Sequence, residues 1–297
     1  MQNSKQKIYV AVTCDTEFLP PWNEGSWEDM ATWSFEQGVP IFTTLIDARG
    51  IQGTYFTQAT VIEQFPDIIR GLKNAGHLIG SHGYNHENYG DVPVKVWTPG
   101  QPVMLGDAER IHDRLERSLK IHREVLDEHP GTFVAPFDNT DARLTMILDN
   151  LGFKVDCSLH NYTHQRNSFP FYPLKDRSII EIPLTVVKPE GSGIAKNLLE
   201  AFTYDRDSAK DCLKTYIEES AVAYPFCMVL ITCHPYEFLD VAIPHPREIL
   251  IVGQEKETAL GELLDWLAAL GANFTNPLKV AEYIKTNTIK LETEHVF

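Results

Sequence analysis

Three short polar segments carry residue types that hydrolytic chemistry uses. The first, Thr13-Cys14-Asp15-Thr16-Glu17, ends an apolar, β-branched run. Side chains alternate along a strand, so Asp15 and Glu17 can face the same side. Two carboxylates at a strand mouth supply one metal ligand and one base; the plainer alternative is a turn-forming Asp beside a solvated Glu. The second segment is Gly80-Ser81-His82-Gly83-Tyr84-Asn85-His86-Glu87. Histidines four apart project from one face of a helical turn, a spacing that suits a single divalent ion. Imidazole with carboxylate favours zinc, or a similar first-row metal such as cobalt, nickel or iron. A pair of surface histidines is the competing reading. In the third segment, the run Phe226 to Cys233 delivers His234-Pro235-Tyr236-Glu237. A histidine leaving a wholly apolar strand is poorly explained by core packing.

Other histidines rank lower. His160 and His164 share the four-residue spacing but lie in a long polar loop with no carboxylate pair assigned to them. His245-Pro246 reads as a turn, and His112 and His122 lie among charges on a long helix and are expected to be solvated. Trp22, Trp27, Trp33 and Trp97 sit in loops rich in proline and glycine, where they can wall a substrate cleft or pack into the core. Trp22, Tyr84, Pro136 and Tyr236 are the candidates for substrate contact.

Elements that could position these segments alternate along the chain. Strands are predicted at Ile8 to Cys14, Gly53 to Thr57, His77 to Ser81, Thr132 to Ala135, Val155 to Leu159, Ile179 to Thr185 and Phe226 to Cys233. Helices are predicted at Pro40 to Ala48, Thr60 to Lys73, Asp107 to Asp127, Ala142 to Asn150, Ser208 to Ala223 and Thr258 to Leu270. Such alternation implies a parallel sheet with helices outside it. The expected fold is α/β, a distorted (β/α) barrel of seven or eight parallel strands spanning 1–297 as one domain, with an open doubly wound sheet as the alternative. In parallel barrels, function gathers where strands end.

The chain has 297 residues and a formal net charge of −15. An acidic surface repels nucleic acid and anionic membranes, so neither is an expected partner. Neither an apolar signal segment nor a membrane-length apolar run is visible, and a cytoplasmic location is expected. The five cysteines are widely spaced and form no CxxC pair, which suits buried, reduced thiols. A homo-oligomer is compatible with this composition.

Taken in order, the segments resemble the polysaccharide deacetylase family, also called the NodB-homology or carbohydrate esterase four family. Thr13 to Glu17 is similar to its first acidic block. Ser81-His82-Gly83-Tyr84-Asn85-His86-Glu87 is the most specific match. Val134-Ala135-Pro136-Phe137, Gly152 to Ser158 and Leu230 to Pro235 follow in sequence, and Leu264 to Phe274 resembles the closing helix and strand. The resemblance implies a mononuclear divalent metal held by Glu17, His82 and His86, with Asp15 as general base. It further implies that the Phe137 amide joins an oxyanion hole and that His234 is a general acid tuned by Asp156. Two residues depart from the pattern. Val134 stands where the family has an arginine that orients the base, with Arg143 as a candidate substitute, and Glu17 stands where many members have Asp. The implied reaction is hydrolysis of an N-acetyl group from an amino sugar, oligosaccharide or glycan. Alternatives are hydrolysis of a small linear or cyclic amide of the allantoin or imide type, and a sugar-binding module without catalysis.

Overall fold

The computed structural model describes residues 7–17, 34–92, 103–160, 169–188, 195–240 and 252–294. Eight strands form one parallel sheet: β1 (Lys7–Thr16), β2 (Thr54–Thr57), β3 (Leu78–Ser81), β4 (Thr132–Phe133), β5 (Val155–Asp156), β6 (Ile180–Glu181), β9 (Phe226–Cys233) and β10 (Asn273–Thr275). A separate antiparallel ribbon joins β7 (Val186–Val187) to β8 (Lys196–Asn197). β1 is central. It pairs with β9 along one side, and along the other with β10 through Tyr9 to Ala11 and with β2 through Thr13 to Thr16. From β2 the sheet continues through β3, β4 and β5 to β6.

Beyond β6 the sheet curls back onto β9. The Thr185 N–H donates to the Leu230 carbonyl at 3.1 Å, and the Thr185 hydroxyl accepts the Leu230 N–H at 2.9 Å. One such exchange, in place of a full ladder, closes the curl, so the chain forms the expected distorted (β/α) barrel.

The central strands are buried on both faces, which is why they read as continuous apolar runs. Their alternation sorts the core into two layers. Val10, Val12 and Cys14 of β1, with Cys227, Val229, Ile231 and Cys233 of β9, pack outward against helices Val39–Asp47, Leu198–Tyr204 and Gln254–Ala269. Ala11, Met228 and Leu230 point inward with Phe56, Val134 and Val155. Asp15 therefore belongs to the inner set, and His234 follows the inward positions of β9.

Helices Ala108–Leu126 and Ala142–Asn150 start where expected, each capped by an aspartate, Asp107 and Asp141, that accepts an N–H of the first turn. The single helix predicted over Thr60 to Lys73 is two, Ala59–Gln64 and Pro66–Asn74, because Pro66 has no N–H to continue the ladder. Helices Leu198–Tyr204 and Pro277–Thr286 are additional. Their caps, Asn197 and Asn276, are a sequence signal, the second followed by proline at the first helical position. Among the described residues, no helix is long and apolar enough to cross a membrane. All five cysteines are free, and Cys14, Cys157, Cys227 and Cys233 are buried as expected.

His122 departs from the expected solvation. It faces inward from helix Ala108–Leu126, fully buried, and neither ring nitrogen has a hydrogen-bond partner among the described residues. Burial pushes it down to about 3, helped by His129. The folded chain thus refuses a proton that the unfolded chain accepts below its ordinary pKa of about 6.5. Stability from this site is present above that value and is lost as pH falls, by about 2 kcal/mol at pH 5. His122→Leu should remove that share, so thermal unfolding at pH 8 and pH 5 should differ less in the variant than in the parent. An unchanged pH dependence would refute the assignment.

Candidate active site

One register line across the sheet assembles the site. Thr16 of β1 pairs with Thr57, Thr57 with Ser81, Ser81 with Phe133, Phe133 with Asp156, and Asp156 with Glu181. The next residues of β1 and β3, Glu17 and His82, consequently emerge at the same height. Cys14 pairs with Cys233, which brings His234 to the level of Asp15.

Glu17, His82 and His86 converge. Their nearest ligand atoms all lie within 4.8 Å of one another. Glu17 Oε2 lies 3.1 Å from His82 Nε2 and also contacts His86 Nε2. His82 Nδ1 lies 3.0 Å from the Val134 carbonyl, which can only accept, so Nδ1 carries the proton and Nε2 is the atom turned to Glu17. Backbone orientation of the far nitrogen is the usual support of an imidazole ligand. Burial alone would push Glu17 up, but His86, His82 and His234 beside it hold it well below the usual carboxylate range. One anionic oxygen donor and two imidazoles fit a divalent cation of the zinc type.

The two histidines do not share a helical turn, as their spacing suggested. Gly83 to Asn85 form an irregular turn, and His86 itself adopts a left-handed backbone with φ of 52°. Gly83 is required there. Its φ is 75°, and a Cβ would sit 2.7 Å from the Tyr89 ring, whose hydroxyl accepts the Tyr84 N–H at 2.9 Å.

Asp15 is buried, and its Oδ1 has no hydrogen-bond partner among the described residues. Burial is the largest influence and pushes it up to about 6, against the pull of His82 and His234. It borders a cavity of about 10 Å³, room for about one water, together with Val134, Asp138 and Thr232. Arg143 does not replace the arginine lost at Val134. Its guanidinium is taken by Asp141 at 3.0 Å and the Gly106 carbonyl at 2.7 Å.

The expected pairing of His234 with Asp156 is not made. His234 Nδ1 instead meets Glu237 Oε1 at 2.9 Å, within the short 3₁₀ turn Pro235–Phe238, and its Nε2 lies 3.7 Å from Glu17 Oε1. Burial would lower His234, but Glu237, Glu17 and Asp15 raise it to about 10. Asp156 faces elsewhere. Its Oδ1 accepts the Ser158 hydroxyl at 2.5 Å, and Ser158 Oγ accepts the Ala135 N–H at 2.8 Å. Asp156 thus braces the turn that carries Phe137. Because register sets it beside Glu181, two buried carboxylates share the barrel interior. Burial pushes Asp156 up to about 7, and burial and then Asp156 push Glu181 well above its usual value.

Phe137 and Asp138 are consecutive non-glycine residues with φ of 62° and 53°, a strained pair of the kind found at functional sites. The Phe137 ring stands edge-on to His86 at 4.3 Å, and Asp138 holds His160 Nε2 at 3.0 Å. The loop histidine set aside from the sequence therefore reaches the mouth after all.

The candidate substrate walls fare differently. Tyr236 is partly exposed and stacks on the His234 ring at 4.9 Å. Tyr84 is buried, its ring covered by Arg114 and Arg117 from helix Ala108–Leu126, and Pro136 is buried as well. Neither offers a wall, because packing against the helix and turn consumes both. Trp22, Trp27, Trp33 and Trp97, with His164 and His245, lie outside the described residues. Reading the sequence assigned no role to Glu237, although its place three residues after His234 is a usable signal. Glu181, inside a run read as a strand, gave no signal.

A family model described as polysaccharide deacetylase matches residues 24–155. A peptidoglycan deacetylase from Helicobacter pylori is 26% identical over 208 residues, 66% of this chain. The chain spans 64% of that relative's own length. A solved structure from Mycobacterium smegmatis, described as a polysaccharide deacetylase, superimposes with a TM-score of 0.70 at 19% identity, covering 99% of this chain and 96% of that one. The structure of Puue allantoinase does so with a TM-score of 0.68 at 18% identity, covering 96% and 92%. At such identities these structures speak for the fold alone. Residues 24–155 of the chain are thus similar to the polysaccharide deacetylase family, and its barrel is the one these solved structures share.

Proposed function

We propose that the chain is a metal-dependent amide hydrolase that removes an N-acetyl group from an amino sugar or short glycan. The observation that carries this reading is the meeting of Glu17 Oε2 with the Nε2 atoms of His82 and His86, the first of these imidazoles fixed from behind by a backbone carbonyl. One carboxylate oxygen beside two imidazoles, with Glu17 and His82 buried, is a donor set that a divalent cation would satisfy. The resemblance to a peptidoglycan deacetylase of Helicobacter pylori supports the choice of an acetylated sugar.

A divalent ion in this cradle, zinc first among candidates, supplies Lewis acidity and lowers the pKa of water from ~15.7 to about 7. The remaining steps belong to the chain. Asp15, raised by burial to about 6 and so ionised at neutral pH, takes a proton from the attacking water. The turn at Pro136 to Asp138 orients the Phe137 amide toward the developing oxyanion, a contact whose loss typically costs about 10²–10³ in rate. As the C–N bond breaks, its electron pair goes to nitrogen, and His234 Nε2–H protonates that nitrogen. The proton accepted by Asp15 balances the one given by His234.

His82→Ala should lose bound metal and hydrolysis together; a fully active variant would end the metal assignment. Asp15→Asn should keep its metal while kcat falls by about 10²–10⁴, with KM little changed. The decisive assay measures acetate release from N-acetylglucosamine oligomers with zinc, with cobalt and with chelator. Ring-opening of allantoin or hydantoin without acetate release would replace the sugar by a small cyclic amide as the substrate class.

A further inference from the structure

We propose that Lys256, acting through Glu237, is the positioning residue that aims His234 Nε2 into the site, taking the place of the carboxylate on β5. The inference rests on the hydrolase reading above and adds a residue to that machinery.

Lys256 is an improbable residue where it stands. It lies in the first turn of helix Gln254–Ala269, three residues after Gly253, and only 4% of it is exposed. A cation in the first turn opposes the helix dipole, and a buried ammonium loses its hydration. A leucine would fill the space without either cost. What offsets both is Glu237, whose Oε2 lies 3.0 Å from Lys256 Nζ. The other oxygen of the same carboxylate meets His234 Nδ1 at 2.9 Å.

Backbone bonds lock the chain of contacts at each end. The Gly253 N–H donates to the Glu237 carbonyl at 2.8 Å, which ties the start of the helix to the turn, and the Glu237 N–H donates to the His234 carbonyl at 3.1 Å. The turn in turn rests on Gly38, where a Cβ would stand 2.2 Å from the Pro235 carbonyl oxygen, so only glycine lets Ser34–Gly38 pack so closely. Tyr236 stacks on the imidazole face at an interplanar angle of 20°. The ring of His234 is held by its edge and its face, and Nε2 is left as the atom toward Glu17. Asp156, engaged with Ser158, cannot do this. Lys256 keeps Glu237 an acceptor, and Glu237 keeps the proton on Nδ1 and the ring in one orientation.

The test compares parent, Lys256→Met, Lys256→Arg, Glu237→Gln and the double variant Glu237→Gln/Lys256→Met on two acetyl donors. One is an N-acetyl sugar, whose departing nitrogen needs a proton. The other is p-nitrophenyl acetate, whose leaving group does not. On the amide, Lys256→Met should lower kcat by about 10²-fold with KM within about twofold, while the ester rate changes by less than about threefold. Lys256→Arg should recover part of the loss. The double variant removes both buried charges and avoids stranding one, so it should fold normally and still be slow on the amide. An independent reading comes from histidine side-chain nitrogen NMR of the metal-free chain. The His234 Nδ1–H should be protected from solvent exchange in the parent and unprotected in Lys256→Met. Equal losses on amide and ester, a double variant with parental kcat on the amide, or an unchanged Nδ1–H signal would overturn the proposal. A parent inactive on every amide but with the NMR difference intact would refute the hydrolase reading and leave the positioning role standing.

Discussion

A carboxylate carried into the interior of a barrel needs polar partners that favour its charge, and at Glu17 two imidazoles stand against it. Glu17 is 5% exposed and lies at the end of the central strand, where water cannot solvate it. Its ionised form persists because His82 and His86 stand against one of its oxygens and His234 approaches the other. Remove these partners and a buried charge is stranded, which typically costs about 3–5 kcal/mol. The need to gather positive partners around this one oxygen explains the shape of the mouth. It accounts for the glycine turn after β3, the left-handed backbone at His86, and the carbonyl of Val134 behind His82.

The same requirement recurs one residue pair away. Glu237 is a second buried carboxylate, and burial would raise it, yet Lys256 and His234 hold it at about 2. Two anions, Glu17 and Glu237, thus flank His234 from opposite edges, and the imidazole is trapped between them. Asp156 and Glu181 meet burial in the opposite way. With no cation beside them they are pushed toward the neutral form. Glu17 and Glu237, with cationic partners, thus contrast with Asp156 and Glu181, which have none, while Asp15 is raised to about 6 by burial despite His82 and His234.

Val134 contributes no charge to Asp15, and Arg143 is committed to Asp141. The charges that favour ionised Asp15 come from His82 and His234, so these three side chains share one electrostatic unit. The strained pair Phe137 and Asp138 completes it, one covering His86 and the other holding His160.

Local chemistry alone determined much of this protein. The apolar runs of β1 and β9 announce strands buried on both faces. The period-two alternation places Asp15 inward, and the histidine spacing at 82 and 86 survives as a shared focus even though a turn replaces the helix expected there. Those features depend on nearest neighbours in the chain, so they are visible in the residues. Only the tertiary structure decided which carboxylate serves His234, whether Tyr84 faces substrate or lies beneath two arginines, and that His122 is buried and not solvated. Each of these is settled by what a distant segment brings against the residue. Lys256 reaches Glu237 only because a helix 19 residues later docks its first turn on the end of β9. No period or motif encodes that meeting, because its cause is the register and closure of the whole sheet.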